Sequence, residues 1–429
     1  MRARLILLVP LLAFLICRAT AEPAPPAGGE IQAKDEAGEA KVPVETPQVA
    51  SHDGPFGDHD DFADGWGSGG DGGPGSFITL PPLAKRCTSE DRLELVEAGG
   101  GTPSSEAATA RAIDWLTSHQ NEDGSWGTEH RCATTGLALL AYQGRCETVL
   151  SEKHGDAVLK AIMFLLNHAA KNQGSFTAAP DTAAGCFEQA IAVAAMAEAS
   201  IFCRLHEVNV PNLHVAVQQA AQQIIRSAAP SGGWSPPGEA KTDPMLTAIQ
   251  LLALKACKQT GLDFKGLTGC VRAALTSLDT WHAGAKEAPV AHVSGAVGLA
   301  YSQWAAESRK VPQLLRQEIA RDFTFRWADA GADLPALYFN AHFLFTGGGD
   351  EWKKLNAMFL PELLAAQRPD GSFAPLGPDV ENAISPLLQG DGSTATHLRT
   401  CLAALTLEVY YRYRRPAAPK PSVRRRHSD

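Results

Sequence analysis

Runs of apolar residues long enough to form helices alternate with short turns that contain glycine and an aromatic residue. The turn Asn121–Trp126 (NEDGSW) recurs at Arg368–Phe373 (RPDGSF), which keeps the D-G-S centre and ends in an aromatic residue. More divergent turns of this kind lie between them, at Asn172–Phe176, Ser231–Trp234, Trp281–Gly284 and Trp327–Gly331. Their spacing of about 50 residues is the length of two helices with their loops, so the pattern predicts six helical hairpins.

The two helices of each predicted hairpin differ in polarity. The first is amphipathic, as at Glu106–His119 and Ala157–His168, whereas the second is apolar nearly all round. A helix that is apolar on every side is one that is buried on most sides. The sequence therefore predicts an all-α fold, an α/α toroid with six inner and six outer helices. We expect the inner helices to begin near Cys132, Cys186, Pro244, Ala291, Leu337 and His397.

Alignment of these second helices places uncharged polar residues in one column and small residues in the next. The polar column is Thr135, Gln189, Thr247, Ser294, Asn340 and Thr400. The small column is Gly136, Ala190, Ala248, Gly295, Ala341 and Cys401. Small residues at a contact let neighbouring helices pack closely. We expect the polar column to face a central cavity, where its side chains would bind a ligand.

The N-terminal segment has the pattern of an export signal. Arg2 and Arg4 precede the apolar run Leu5–Cys17, and Ala19–Ala21 forms an A-x-A cleavage site. Such a run is the length of a signal-peptide core and is short for a membrane span. Residues 1–21 therefore predict a signal peptide and an exported protein, periplasmic or extracellular. An uncleaved N-terminus that anchors the chain to a membrane is the alternative.

Amino-acid composition predicts the boundaries of the linker, the helical domain and the C-terminal tail. Residues 22–103 are rich in proline, glycine and acids, which predicts a disordered linker with a short helix near Asp91–Ala98. The helical domain is then expected to span 104–413. Residues 414–429 form a basic tail, for which we expect disorder and, at most, proximity to an anionic membrane surface.

Charge and cysteine content narrow the function classes. The formal net charge of -9 argues against a nucleic acid partner, because phosphate binding needs a basic surface. The chain has 9 cysteines, of which Cys17 would leave with the signal. An even number then remains in an oxidising compartment, but several of these cysteines lie in apolar helical runs, so we expect at most one or two disulfides, of open pairing.

The first Gly-aromatic turn carries a recognisable motif. Residues Trp115–Trp126 have the spacing W-L-x3-Q-x3-G-x-W, and Gln367–Phe373 repeats its second half. This resembles the QW motif of squalene and oxidosqualene cyclases. The chain is similar to prenyltransferase/squalene-oxidase-repeat proteins of the terpenoid cyclase and protein prenyltransferase superfamily, including exported planctomycete-type members. The stretches that carry the wider resemblance are Ala98–Ser105 (AGGGTPSS), Gly348–Leu355 (GGDEWKKL) and Leu405–Tyr413 (LTLEVYYRY).

The resemblance implies an α/α toroid, and it raises the question of cyclase chemistry. Cyclases of the squalene-hopene type protonate an alkene from an aspartic acid in a D-x-D-D motif, which requires an acid in a dry cavity. Asp58–Asp61 (DHDD) matches that motif but lies in the predicted linker, ahead of every repeat. If the toroid is an enzyme, the acids nearest the inner-helix starts are Glu188, Asp243 and Asp333. Aromatic residues available to line the cavity are Phe187, Tyr338, Phe339 and Phe343.

Two further chemistries occur on this kind of toroid. Cys132, Cys186 and His397 are types that zinc prefers, but equivalent positions on packed helices lie about 8–10 Å apart, so no metal and no cofactor is expected. A bridge between Cys132 and Cys186 is a further alternative. Gly185–Gln189 (GCFEQ) resembles the G-C-G-E-Q motif of thioester domains, with phenylalanine in place of the second glycine.

The sequence therefore favours an exported toroid that binds a protein segment or an apolar small molecule without catalysis. A terpene cyclase or related isoprenoid enzyme is the alternative, and a thioester-containing domain is a minor one. The fold does not decide between them, because one fold supports many chemistries.

Overall fold

The computed structural model describes residues 85–180, 182–285, 289–306, 308–377 and 392–413, all within the compact unit Asp60–Asp429. The predicted signal peptide, the Asp58–Asp61 motif and the basic tail lie outside the described residues. In the described ranges the chain is helical, with an isolated antiparallel bridge between Gln367 and Phe373.

Among the described residues, two sets of six helices alternate along the chain, and one further helix precedes and one follows them. The outer helices are α2 (Pro103–Ser118), α4 (Gly155–Lys171), α6 (Leu213–Arg226), α8 (Leu267–Gly284), α10 (Lys310–Asp322) and α12 (Gly349–Ala366). The inner helices are α3 (Arg131–Gly144), α5 (Ala183–Leu205), α7 (Pro244–Gln259), α9 (Ala291–Gln303), α11 (Leu334–Gly347) and α13 (Gly392–Leu407). The flanking helices are α1 (Ser89–Gly99) and α14 (Val409–Arg412).

The inner helices form a closed ring. Each inner helix from α3 to α13 packs against the next, and α13 packs back against α3. The outer helices cover this ring, and α12 contacts α2 where the last hairpin meets the first. The predicted α/α toroid of six hairpins is therefore confirmed, with each inner helix beginning within a few residues of its predicted start.

Burial separates the two sets as the polarity pattern predicts. Every residue of α11 from Leu334 to Thr346 is buried. In α6, by contrast, the buried residues form one stripe and the opposite face is rich in exposed glutamine. One helix among the described residues, α5, is long and apolar enough to cross a membrane, but 72% of its apolar window is buried inside the protein.

The small column allows the close packing that the sequence predicts. A Cβ on Gly136 would lie 3.0 Å from a methyl group of Ile191 in the next inner helix. A Cβ on Gly295 would lie 2.8 Å from the backbone nitrogen of Asn340, closer than side-chain atoms normally approach. Larger residues in this column would push neighbouring inner helices apart.

The first Gly-aromatic turn joins its hairpin to the next one. The Gln120 carboxamide donates to the carbonyl oxygens of Gly124 at 2.9 Å and of Ala157 in α4 at 2.9 Å. The Trp126 indole donates back to the Leu116 carbonyl at 2.7 Å. One glutamine therefore closes its own turn and satisfies a carbonyl of the neighbouring outer helix.

The last turn repeats this arrangement and closes the ring. The Gln367 carboxamide donates to the carbonyls of Gly371 at 3.1 Å and of Ala108 in α2 at 2.7 Å. A Cβ on Gly371 would lie 2.8 Å from the carbonyl carbon of Arg111 in the same helix. Glycine is required here both by the positive φ and by the approach of α2.

The N-terminal end of the described chain packs onto the toroid. Helix α1, which coincides with the predicted short helix, is capped by Thr88 and contacts α2 and α14. Immediately before it, Cys87 forms a disulfide with Cys146 at the end of α3. The folded region therefore starts earlier than the boundary at 104 that composition predicts, because a short polar helix packs on the toroid next to a disulfide.

Candidate ligand-binding cavity

An axial cavity of about 170 Å³ lies inside the inner ring. All six inner helices contribute to its wall, together with residues from both ends of the described chain. Its apolar surface comes mainly from α3, α5, α7, α11 and α13. The aromatic side chains in the wall are those of Phe187, Tyr338, Phe339 and Tyr413.

The wall changes from apolar to polar along the axis. Near the N-terminal ends of the inner helices it consists of residues such as Phe187, Met245 and Leu398. Near their C-terminal ends it gains charged and amide side chains. These polar lining residues are Arg86, Glu198, Lys255, Gln259, Gln303 and Arg412.

Glu198 is the carboxylate of the described wall, and two arginines hold it. Arg86 Nη1 lies 2.6 Å from one carboxylate oxygen and Arg412 Nη2 lies 2.9 Å from the other. Both guanidinium groups are at most 7% exposed. Arg86 also donates to the carbonyls of Tyr411 and Arg412, so the N-terminal arm is fixed to the C-terminal helix. Both carboxylate oxygens of Glu198 are therefore occupied by guanidinium groups.

Arg412 also contacts a deeper acid, Glu408. Arg412 Nη1 lies 3.1 Å from the Glu408 carboxylate, which is fully buried. Burial raises the pKa of Glu408 to about 8, and the partial compensation by Arg412 does not cancel it. Glu408 is not part of the cavity wall. Its raised pKa favours the protonated form of this structural acid, which lies behind the wall.

A second buried carboxylate, that of Glu106, links three segments at the same end of the toroid. Arg92 Nε donates to it at 2.7 Å, and Arg145 Nη2 lies 3.1 Å from the same oxygen. The Tyr411 hydroxyl donates to its other oxygen at 3.1 Å. Such a network is costly to break, because removing one partner leaves a buried charge without compensation.

The three stretches that carry the family resemblance meet beside this network. The Trp352 indole donates to the Gly99 carbonyl at 2.8 Å. The Asn356 amide donates to the Gly100 carbonyl at 2.6 Å and accepts from the Tyr410 hydroxyl at 2.7 Å. These hydrogen bonds join the end of α1 to α12 and α14.

The polar column does not line the cavity, which corrects the prediction. Thr135 accepts a hydrogen bond from the backbone N–H of Trp126 at 3.2 Å, and Thr247 accepts one from Trp234 at 3.0 Å. Gln189 accepts from the backbone N–H of Phe176 at 2.6 Å. Each side chain therefore points outwards and anchors the turn that precedes its own helix.

The other members of the column are also buried away from the cavity wall. Ser294 is 3% exposed, and Asn340 and Thr400 are 0% exposed. Within the described residues, the Asn340 amide atoms and the Thr400 Oγ1 have no hydrogen-bond partner. In the described part of the chain, Asn340 and Thr400 therefore do not form the anchoring bond of the other repeats.

The acids proposed from the sequence are structural in this arrangement. Asp243 caps α7 by accepting from the Leu246 N–H at 2.6 Å, and Asp333 caps α11 through Ala336 at 2.8 Å. Asp333 also lies 3.0 Å from the imidazole of His292.

Glu188, the third acid, lies 2.7 Å from Nδ1 of His130. Neither Glu188 nor the capping aspartates belong to the described wall of the cavity. An acid that protonates a ligand inside the ring would therefore have to come from elsewhere.

The proposed metal ligands do not assemble. Burial, with help from Glu188, raises the pKa of Cys132 to about 12, which opposes the thiolate that zinc needs. The Cys186 thiol donates to the Pro180 carbonyl, and His397 lies 3.3 Å from the His119 carbonyl. In the described ranges no group of three potential ligands could hold a metal ion. The bridge between Cys132 and Cys186 is also not formed.

The thioester-like segment shows separate partners for its two reactive groups. Cys186 is directed at Pro180, while the Gln189 carboxamide oxygen accepts from Phe176 and from the Ser175 hydroxyl. Gln189 is thus a turn anchor like the threonines of the other repeats. Of the four aromatic residues proposed for the cavity, Phe187, Tyr338 and Phe339 do line it, whereas Phe343 packs on Gly298 and Arg316.

Comparison with solved structures finds similarity to the type II terpene cyclase MstE from Scytonema, in complex with its substrate geranylgeranyl dihydroxybenzoate. The TM-score is 0.44 and the sequence identity 13%, over 75% of this chain and 99% of that one. No protein-family model and no curated protein matches the sequence. The class of the fold is defined by the chain's own packing: it is an α/α toroid with a closed inner ring and an axial cavity.

Proposed function

We propose that this protein binds an apolar small molecule in its axial cavity without transforming it. The observation that carries the proposal is the wall itself, apolar along α3, α5 and α7 and polar at one end only. Small-molecule sites have this composition: mainly apolar walls with a few polar groups that fix orientation. At the polar end Arg86 and Arg412 meet on Glu198 in the wall, which favours a small molecule over a protein segment threaded through the ring.

The size of the cavity favours a compact ligand. Its volume of about 170 Å³ is below the roughly 300–1,000 Å³ of sites that enclose drug-sized molecules. An engineered apolar cavity of about 150 Å³ is enough to bind benzene. A chain of thirty carbons would not fit unless the inner helices moved, which argues against a squalene-type substrate.

The electrostatics of the wall favour binding over cyclisation. A cyclase of the squalene-hopene type needs a protonated carboxylic acid at the alkene. Within the described wall the carboxyl group is that of Glu198, and both of its oxygens are already held by arginines. An alkene would have to displace one of these ion pairs to reach it.

An exported location is part of the proposal. The disulfide between Cys87 and Cys146 supports it, because structural disulfides persist in oxidising compartments and are rare in the cytosol. N-terminal sequencing of the protein recovered from cell fractions tests it. A mature chain that begins near residue 22 in a soluble exported fraction is expected, whereas an intact Met1 in the membrane fraction would indicate an uncleaved anchor.

Binding is tested by titration calorimetry of the full chain with 1-octanol. The variant Ala194→Phe fills the cavity from α5, where Ala194 is half-buried and lines the wall. Its matched control is Ala107→Phe on the exposed face of α2. Saturable binding that Ala194→Phe abolishes and Ala107→Phe retains is expected. Equal binding by the two variants, or no binding by the native chain, would overturn the proposal.

The enzyme alternative has its own test. The full chain is incubated with squalene and with geranylgeranyl diphosphate, and extracts are analysed for cyclised products. We expect the substrates to be recovered unchanged. A cyclised product that disappears in Glu188→Gln, Asp243→Asn or Asp333→Asn would replace the binding proposal with a cyclase.

A further inference from the structure

We propose that the bound molecule is a compact neutral compound with a carbonyl or alcohol oxygen, and that this oxygen accepts a hydrogen bond from the Tyr338 hydroxyl. This inference rests on the proposed function and names the ligand class of the same cavity. Tyr338 lies in the first half of α11, which lines the wall with Pro335, Tyr338 and Phe339. Tyr338 therefore supplies the polar group of an otherwise apolar helix face.

The Tyr338 hydroxyl can be reached by a ligand. The residue is 8% exposed, and within the described ranges its hydroxyl forms no hydrogen bond. The unpartnered atoms of Asn340 and His342 are fully enclosed by the packing, whereas the Tyr338 hydroxyl is not among these enclosed groups. Because Tyr338 lines the cavity, we infer that its hydroxyl opens into that space. A donor held away from bulk water without a partner is costly, so a ligand oxygen that accepts from it is favoured.

Ring contacts hold this side chain in place. The Tyr338 ring meets the Phe339 ring edge-on with 4.9 Å between their centres, and the His342 ring edge-on at 4.7 Å. The His342 ring also meets the Tyr413 ring at 5.0 Å, and its Nε2 donates to the Leu405 carbonyl of α13 at 3.0 Å. A donor that is fixed before the ligand arrives loses little conformational freedom on binding.

The hydroxyl keeps its proton at physiological pH. Burial raises the pKa of Tyr338 well above its ordinary value, and the nearby Tyr413 adds to this shift. Burial also lowers the pKa of His342 to about 3, so the adjacent imidazole is neutral. The wall therefore presents a neutral O–H donor beside a neutral ring, and a carbonyl or alcohol oxygen is its natural acceptor.

The charged part of the wall does not favour an ionic ligand. Arg86 and Arg412 hold both oxygens of Glu198 and also donate to backbone carbonyls. An anion would compete with Glu198 for them and would meet the partial negative charge at the C-terminal ends of the inner helices. A cation would meet these arginines and Lys255. A neutral ligand avoids both penalties and keeps its contacts with the apolar side chains of the wall.

The experiment uses four ligands built on one carbon skeleton: ethylbenzene, acetophenone, 1-phenylethanol and 1-phenylethylamine. Their affinities for the native full chain and for Tyr338→Phe are measured by titration calorimetry at neutral pH. Loss of the hydroxyl should weaken the binding of acetophenone and 1-phenylethanol about fivefold or more, because the ligand oxygen is left without its partner. Ethylbenzene has no oxygen and should bind both proteins equally. The native chain should bind the cationic amine more weakly than the alcohol.

The matched control is Tyr410→Phe. The Tyr410 hydroxyl donates to Asn356 Oδ1 at 2.7 Å and lies outside the cavity wall. This variant undergoes the same chemical change and should keep the native affinity for every ligand. Infrared spectroscopy adds a readout that a general loss of packing would not produce. The carbonyl stretch of bound, isotope-labelled acetophenone should lie at lower frequency in the native chain than in Tyr338→Phe.

The possible results separate this inference from the proposed function. If the ligands bind but Tyr338→Phe changes none of their affinities, or if Tyr413→Phe causes the loss instead, the role of Tyr338 is wrong and the apolar cavity stands. Tighter binding of the amine than of the alcohol would contradict the neutral ligand class. A native carbonyl stretch equal to that in an apolar solvent would overturn the hydrogen bond without recourse to a variant. If no ligand binds the native chain, the proposed function fails as well. Retained binding of ethylbenzene and an unchanged circular dichroism spectrum verify that Tyr338→Phe is folded.

Discussion

Replacement of Gly124 by alanine tests whether the Gly-aromatic turns determine how closely the outer helices pack. Gly124 has a φ of +89° and lies against α4. A Cβ at this position would overlap the carbonyl oxygen of Lys160 and lie 2.6 Å from its carbonyl carbon. Neither atom belongs to a flexible side chain, so the turn and α4 would have to separate.

The matched control is Gly238→Ala, in the loop before α7. Gly238 has a similar φ of +85°, but no atom lies within 4 Å of a Cβ built there. Both changes therefore share the cost of a left-handed alanine, roughly 1–2 kcal/mol. Only Gly124→Ala adds overlap with packed backbone, for which oversized residues cost roughly 1–3 kcal/mol. We expect Gly124→Ala to lower the free energy of unfolding by about 1–3 kcal/mol more than the control.

The measurement is urea unfolding of each variant, followed by far-ultraviolet circular dichroism and by tryptophan fluorescence. Coincident transitions in both signals are needed before a free energy is derived, because a ring of repeats can unfold in more than one step. A loss for Gly124→Ala no larger than that for Gly238→Ala would refute the packing argument. Glycine would then be required in these turns only for its backbone conformation.

Three further outcomes follow from the same structure. Thr135→Val should lower the free energy of unfolding by roughly 1–3 kcal/mol, because it leaves the buried backbone N–H of Trp126 unpaired. Thr400→Val should be neutral or stabilising, since the Thr400 hydroxyl has no partner among the described residues. Equal urea midpoints for the two variants would contradict this. Loss of the disulfide in Cys87→Ser or Cys146→Ser should lower the free energy of unfolding by about 4 kcal/mol, the chain-entropy value for a loop of this length. The measurement is urea unfolding of the native chain and of each variant, with and without reductant. A urea midpoint that changes neither on substitution nor with reductant would show that the bridge is not formed. The pKa of Glu408 is raised from 4.5 to about 8, so its contribution to stability is complete below pH 4.5 and is lost as the pH rises through about 8. The native chain should therefore lose stability relative to Glu408→Gln between about pH 5 and about pH 9. A constant difference in the free energy of unfolding across that range would exclude the raised pKa.

The fold could be predicted from the sequence because its signals are local and repeated. The spacing of Gln120, Gly124 and Trp126 encodes a turn whose hydrogen bonds involve only its own hairpin and the next. The small column is likewise informative, since Gly136 and Gly295 lie at close contacts between inner helices. Repetition of such signals makes the ring recognisable even where single turns have diverged.

The orientation of the polar column could not be predicted in the same way. An inner helix that is buried all round gives no polarity from which to distinguish the axis from the rim. The hydrogen-bond partners lie 9 residues before Thr135 but 13 residues before Gln189 and Thr247, so no constant spacing reveals them. A polar residue that recurs in every repeat can anchor the repeat itself as readily as it can bind a ligand.

The polar end of the cavity could not be predicted from the sequence for a different reason. Arg86 and Glu198 lie 112 residues apart, and Glu198 and Arg412 lie 214 apart. Arg86 belongs to a segment whose composition predicts disorder, and the adjacent Cys87 gives no indication of its partner. Lys255 and Gln259 share a helix face in the sequence, but only the closed ring shows that this face borders a cavity.

Because the ring is closed, the segment that precedes the first hairpin lies next to the segment that follows the last one. A guanidinium nitrogen of Arg86 lies 2.5 Å from the carbonyl oxygen of Arg412. The hairpins thus have no privileged starting point, and their interfaces do not depend on where translation begins. A circularly permuted gene, with the old ends joined by a short linker and new ends opened at the exposed Gly238, would encode the same set of contacts in a different order.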